Sequence, residues 1–112
     1  MITYTGEDVI NKAAADLGRY IPGEALGSVE HDTINLAYQV VLSEISKIVA
    51  INDPDEVPGD LFEVVSLLTS VFAGSAFANE PVDYNRVRDI EQRLRYLVAQ
   101  TPTYETLPVL YF

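Results

Sequence analysis

The sequence contains no cysteine and a single histidine, His31. Without cysteine the chain can form no disulfide, no thiolate metal site and no cysteine nucleophile. His31 falls near the start of a predicted helix, and we interpret it as a surface histidine, because no second histidine accompanies it. The sequence also has no GxSxG motif, no phosphate-binding glycine loop and no HExxH motif. We therefore expect a protein that is not an enzyme and that uses no metal or cofactor.

The stretch NDPDEVPG gathers three acids, Asp53, Asp55 and Glu56, without the spacing of a calcium loop. A calcium loop of the EF type needs oxygen ligands at positions 1, 3 and 5 and glycine at position 6. Counted from Asp53, Val57 takes position 5 and Pro58 position 6. We interpret these acids as complementing the dipole of the helix that follows them.

Basic residues are few: seven lysines and arginines stand against seventeen acids, and the formal net charge is −10. A protein that wraps the phosphate backbone needs a basic surface, so this balance argues against it. Four of the seven fall within ten residues: Arg86, Arg88, Arg93 and Arg95. They indicate either a solvated helix face with intrahelical ion pairs or a face that meets the acidic flank of an identical neighbouring subunit. Repetition of the second contact closes a ring.

Long hydrophobic runs are also missing. The first ten residues have neither the basic nor the apolar region of a signal peptide. The longest apolar stretch, Leu61–Ala78, is interrupted by polar residues such as Glu63 and Ser66. We expect this stretch to be a buried helix of a soluble protein, with no membrane contact.

Apolar residues at helical spacing predict an all-α fold, a small four-helix bundle that occupies residues 1–100. The first helix is the best marked. Thr5 is a good N-cap, Asp8 completes an approximate capping box, and Gly18 is suited to the position after the helix end.

The second helix is expected from Ser28, as its cap, to about Ser46. A short extended segment around 48–53 follows, because β-branched residues and prolines disfavour a helix there. The third helix is expected over about 58–78 and the fourth over about 81–99, each with a proline in its first turn. The third is apolar nearly all round, so we expect it to be surrounded by the others.

Residues 101–112, TPTYETLPVLYF, are predicted to form an extended C-terminal docking arm. Two prolines keep the arm out of a helix. Its apolar residues are unusual for a terminal segment, where polar residues usually collect. The residues expected to dock on a partner are Pro102, Tyr104, Leu107, Leu110, Tyr111 and Phe112.

One arm by itself is a marginal ligand. Burial of each large apolar side chain gains roughly 1.5–3 kcal/mol, whereas fixing each backbone residue costs on the order of 1–2 kcal/mol. Several arms presented together by an oligomer bind with avidity. The alternative is an arm that folds back on its own bundle.

The stretch EDVINKAAADLGRYIPGEAL resembles the opening of the head-to-tail adaptor proteins of tailed phages, the tail accessory factors that sit beneath the portal. The counterparts of the family pattern are Val9–Ile10 through Leu17–Gly18, then Gly23–Glu24, then Asp55–Pro58 before Leu61–Phe62, and finally PTYE through the closing Tyr111–Phe112. The order and spacing of these motifs carry the resemblance over essentially the whole chain. The second helix departs from the family, with TINLAYQVVLSEI where relatives often carry ALxxLNxML.

The resemblance implies a structural virion protein that assembles in the host cytoplasm into a ring, usually twelvefold, on the portal at the head–tail junction. Its arm would dock on the portal protein or on a neighbouring copy. Its lower face would receive tail or nozzle proteins. DNA would pass through the lumen without specific binding, which suits an acidic protein.

A second hypothesis is an acidic interaction protein, such as a DNA mimic that inhibits a nucleic-acid enzyme. Its support is the net charge of −10 alone. Because a mimic needs no apolar arm, the composition of residues 101–112 counts against it.

Overall fold

The computed structural model describes residues 2–20 and 23–100. In these ranges four α-helices and two short strands follow one another along the chain. The elements are β1 (Thr3–Tyr4), α1 (Gly6–Asp16), α2 (Ser28–Ile45), β2 (Val57–Pro58), α3 (Gly59–Ala78) and α4 (Tyr84–Gln100). The predicted all-α fold, a small four-helix bundle, is confirmed.

The predicted signals at both ends of α1 are confirmed. Thr5 Oγ1 accepts from the Asp8 N–H at 3.2 Å, and the Asp8 carboxylate accepts from the Thr5 N–H at 3.0 Å. At the other end Gly18 has φ of +73°, where residues with a Cβ are strained. The N–H groups of Gly18 and Arg19 donate back to the carbonyls of Ala15 and Ala14, which completes a Schellman motif.

Two predicted helix starts are wrong. Ser28 is the first residue of α2, and the N-cap is Gly27, which offers no side-chain acceptor. Helix α4 begins at Tyr84 and not at Pro81. Asp83 explains the second difference, because its Oδ1 accepts from the N–H groups of Asn85 and Arg86 at 3.1 and 3.3 Å. A carboxylate in this position caps a helix more effectively than a proline begins one.

The predicted extended segment around 48–53 is a turn at residues 46–48 followed by residues 49–53 without regular structure. The strand comes later, at β2, which pairs antiparallel with β1 so that Thr3 faces Pro58 and Tyr4 faces Val57. This strand pair was not predicted, since two residues are too few for a visible alternation.

Helix α3 is surrounded, as predicted: it packs against α1, α2 and α4. Its length and hydropathy would suffice for a membrane span, but a core helix of a soluble protein passes the same test. Its small residues allow the close approach that packing requires. A Cβ placed on Gly74 would lie 3.1 Å from Leu17 Cδ2 of α1.

The core has two parts. The large-residue cluster joins α2, α3 and α4 through wide aliphatic and aromatic side chains, among them Tyr38, Val41, Ile45, Leu61, Leu68, Val87, Ile90, Leu94 and Val98. The alanine cluster joins α1, α2 and α3 at the other end of the bundle and consists of Ile10, Ala13, Ala14, Ile34, Ala37 and Ala73.

The connection between α2 and α3 is fastened to the start of α1. Asp55 Oδ1 accepts from the Gly6 N–H at 2.9 Å, and the Tyr38 hydroxyl donates to the Pro54 carbonyl at 2.6 Å. Burial, together with the nearby Asp55 and Asp53 carboxylates, raises the pKa of Tyr38 to about 12. The connection is therefore a structural part of the bundle.

Candidate interaction surfaces

The predicted docking residues of the arm lie outside the described residues: Pro102, Tyr104, Leu107, Leu110, Tyr111 and Phe112. What the structure gives is the point from which the arm departs. Helix α4 runs to Gln100, so residues 101–112 follow directly from a helix that packs on α3.

The four arginines of α4 are all exposed. Among residues 2–20 and 23–100, none of the four forms an ion pair. Exposure in a single copy agrees with both predicted alternatives, the solvated face and the face that meets a neighbouring subunit, but the described residues lack the intrahelical ion pairs expected for the first. The exposed guanidinium groups of these arginines are accessible to an external partner.

The arginines form two rows and not one. At roughly 100° per residue, Arg86 and Arg93 fall on one edge of the buried stripe of α4, whereas Arg88 and Arg95 fall on the other edge. The buried stripe consists of Val87, Ile90, Leu94 and Val98. A single flat partner would therefore meet one pair at a time.

Glu91 of α4 contacts the turn that follows α2 and not an arginine of its own helix. Its Oε1 lies 3.7 Å from Lys47 Nζ, and its side chain is only 12% exposed. Lys47 also lies 3.9 Å from Glu44. This contact joins α4 to the turn that follows α2, and the side chain of Glu91, one of the two acids of α4, is mostly covered.

Charge is distributed unevenly between α4 and the rest of the bundle. Helix α4 carries four arginines and two acids, whereas the remaining described residues carry fourteen acids and three bases. The surface therefore has one net-positive helix beside a strongly acidic remainder. Two copies could place α4 of one against the acidic surface of the other, which is the second alternative for the arginines.

The other titratable candidates are engaged in the fold. His31 Nε2 lies 2.7 Å from Glu7 Oε1 and links α2 to α1. Asp55 binds the start of α1 and not the helix dipole of α3 that the sequence suggested, because the loop folds back towards Gly6. In the part of the chain that the structure describes, no group of three His, Cys, Asp or Glu residues is placed to hold a metal ion.

An apolar groove between α2 and α3 was not predicted. It encloses about 250 Å³ and is lined by Thr33, Leu36, Ala37, Val40, Phe72 and Ala76. Leu36 is 67% exposed and Val40 is 46% exposed, and Val29 continues the same stripe at 71%. The signal in the sequence was the row of positions 29, 33, 36 and 40 on α2. These positions repeat at helical spacing beside the buried residues Ile34, Val41 and Ile45.

Comparisons with protein-family models, with curated proteins and with solved structures found no match to this chain.

Proposed function

We propose that the chain is a structural virion protein, a head-to-tail adaptor that forms a ring beneath the portal of a tailed phage. The ring seals the channel of packaged DNA and provides the platform to which the tail attaches. Its partners are the portal protein, neighbouring copies of itself in a ring of about twelve, and tail or nozzle proteins below.

The observation that carries the proposal is the agreement between the resembling motifs and the elements of the fold. The opening motif, Val9–Ile10 through Leu17–Gly18, covers most of α1 and ends at the glycine that follows it. The Asp55–Pro58 motif stands immediately before α3. The apolar closing motif, in residues 101–112, follows α4. Three of the four motifs thus lie at a boundary of an element, which a chance resemblance in composition would not require; the fourth, Gly23–Glu24, lies in the connection between α1 and α2.

The charges support a ring of identical copies. One row of exposed arginines on α4, Arg86 with Arg93 or Arg88 with Arg95, can meet acids of the next subunit. A contact between two different faces closes a ring when repeated. The excess of acids would then repel the phosphates of DNA in the lumen, which suits passage without adhesion.

The experiment combines the purified chain with the portal protein of the same virus and measures co-sedimentation and the mass of the complex. A matched variant replaces residues 101–112 with a Gly/Ser sequence of equal length. We expect a portal complex with many copies for the natural chain and loss of binding for the variant. Binding that survives the replacement would exclude the arm as the docking element.

The same preparation tests the DNA-mimic hypothesis. Absence of portal binding and of a ring, combined with tight inhibition of a DNA-binding enzyme, would favour the mimic over the adaptor. The exposed arginines of α4 argue against this outcome, because a mimic needs carboxylates at phosphate-like spacing and each arginine interrupts them.

A further inference from the structure

The α2–α3 groove has the lining of a binding site for apolar side chains. Among the described residues none that lines the groove is charged, and one, Thr33, carries a hydroxyl, which already donates to the Val29 carbonyl at 2.8 Å. A polar ligand would therefore find no free donor there. At about 250 Å³ the groove is also smaller than the roughly 300–1,000 Å³ of small-molecule sites. A few side chains of an apolar peptide fit this description best.

The chain itself contains such a peptide. Residues 104–112 read YETLPVLYF, with six large apolar side chains and one charge, at Glu105. Pro108 restricts the backbone before binding, which lowers the entropy lost on docking. The groove and the part of this segment after Glu105 thus share an apolar character, and the side chains of residues 106–112 carry no charge.

Reach decides between the arm of the same copy and that of another copy. The Tyr84 ring, at the start of α4, meets the edge of the Phe72 ring in the groove wall, with centroids 6.5 Å apart. Gln100 ends α4, about 24 Å away at 1.5 Å per residue. A return over that distance uses about seven extended residues at roughly 3.4 Å each. Residues 101–107 would then span the distance, so Tyr104 and Leu107 could not enter the groove of the same copy. The groove of a second copy can receive the whole segment.

We propose that the α2–α3 groove of one copy binds residues 104–112 of a second copy. The contact joins two different surfaces, so each copy gives an arm and receives one. The inference rests on the proposed function, because it identifies one contact between neighbouring copies in the ring. Its test is independent of that function, because it uses no portal protein.

The test uses engineered cysteines, since the natural chain has none. A full-length Leu36→Cys variant is mixed under oxidising conditions with a full-length, tagged Val109→Cys variant. The matched control replaces Leu36→Cys by Tyr96→Cys, on α4, where exposure is nearly the same at 64% against 67%. Disulfides need Cα atoms about 4.4–6.8 Å apart, so Leu107→Cys and Tyr111→Cys variants cover neighbouring registers.

We expect the groove and arm variants to form a mixed disulfide dimer about ten times more abundantly than the Tyr96→Cys control in at least one register. A second substitution, Val40→Asp, in the copy that carries the groove cysteine should remove this excess, whereas Tyr96→Asp in the same copy should preserve it. Thermal unfolding of each variant establishes that it is folded.

Equal yields for groove and control in all three registers would overturn the inference. So would a Leu36→Cys/Val109→Cys double variant that crosslinks only within one chain, because the arm would then dock on its own bundle. The portal assay is independent: arm exchange without portal binding would refute the proposed function alone, and portal binding without arm exchange would refute this inference alone.

Discussion

The two core clusters solve the same packing problem with different side chains. The large-residue cluster joins α2, α3 and α4 mainly through leucine, isoleucine, valine and tyrosine, whereas the alanine cluster joins α1, α2 and α3 through four alanines and two isoleucines. Wide residues gain stability from the apolar area that they bury. Small residues gain it from the close approach of the helices, which leaves no room for a larger group.

The difference has a consequence for the surface. Helix α4 covers the end of α3 that contributes to the large-residue cluster, and it begins beside Phe72. Within residues 2–20 and 23–100, α4 packs on α3 and makes no extensive contact with α2. The α2–α3 groove lies beside the alanine cluster, since Ala37 belongs to both.

The comparison predicts that truncation of a side chain in the large-residue cluster causes the largest loss of stability. Leu94 is fully buried between α4 and its neighbours. Leu94→Ala should lower the free energy of unfolding by about 2–5 kcal/mol, because it removes buried methyl groups and leaves a cavity. Urea unfolding followed by circular dichroism measures the change. The control is Tyr96→Ala on the exposed side of α4, and equal losses for the two would mean that α4 does not depend on this cluster.

Enlargement should be the damaging change in the alanine cluster. Ala73 is completely buried where α3 meets α1 and α2. Ala73→Leu should lower the free energy of unfolding by about 1–3 kcal/mol, since the helices must separate to admit three more carbons. Ala76→Leu, one turn further along α3 and exposed in the groove, should change stability by less than about 0.5 kcal/mol. An Ala73→Leu variant as stable as the natural chain would show that the helices are not in close contact.

A smaller effect tests the polar contact at the border of the large-residue cluster. Tyr38→Phe removes the hydroxyl that donates to the Pro54 carbonyl and should cost about 1 kcal/mol at neutral pH. Tyr96→Phe, exposed to solvent, is the matched control and should cost nothing measurable.

The same variant carries a pH signature. The pKa of Tyr38 is raised from 10.0 to about 12 in the folded chain, so folding favours its neutral form. The stability gained in this way is complete below pH 10 and is lost as the pH rises towards 12. The difference between the natural chain and Tyr38→Phe should therefore shrink over that range in urea titrations. A constant difference from pH 9 to 12 would contradict the burial of this hydroxyl.

Much of the bundle was predictable because its signals are local. The capping box at Thr5, the turn at Gly18 and the spacing of Ile34, Val41 and Ile45 act within one or two turns of the same helix. Such features are stabilised by neighbours in sequence, so they can be recognised without knowledge of the fold.

The candidate surfaces were only partly predictable. The sequence indicated four clustered arginines, either a solvated face or a face for a neighbouring subunit, and all four are exposed in the single chain. It could not assign Glu91 to Lys47, since these residues are forty-four positions apart and meet only when α4 packs beside α2. The sequence also could not show that Leu36 and Val40 line a groove, because an apolar stripe on a helix has the same spacing whether it is exposed or buried.

The sequence by itself determined the four helices, their apolar stripes, the scarcity of positive charge outside α4 and the apolar character of residues 101–112. Only the tertiary structure decided that Asp55 binds the start of α1, that β1 pairs with β2, and that one stripe of α2 stays open as a groove. The physical reason is separation along the chain. Helices depend on contacts between residues three or four apart, whereas these features depend on which distant elements come to lie side by side.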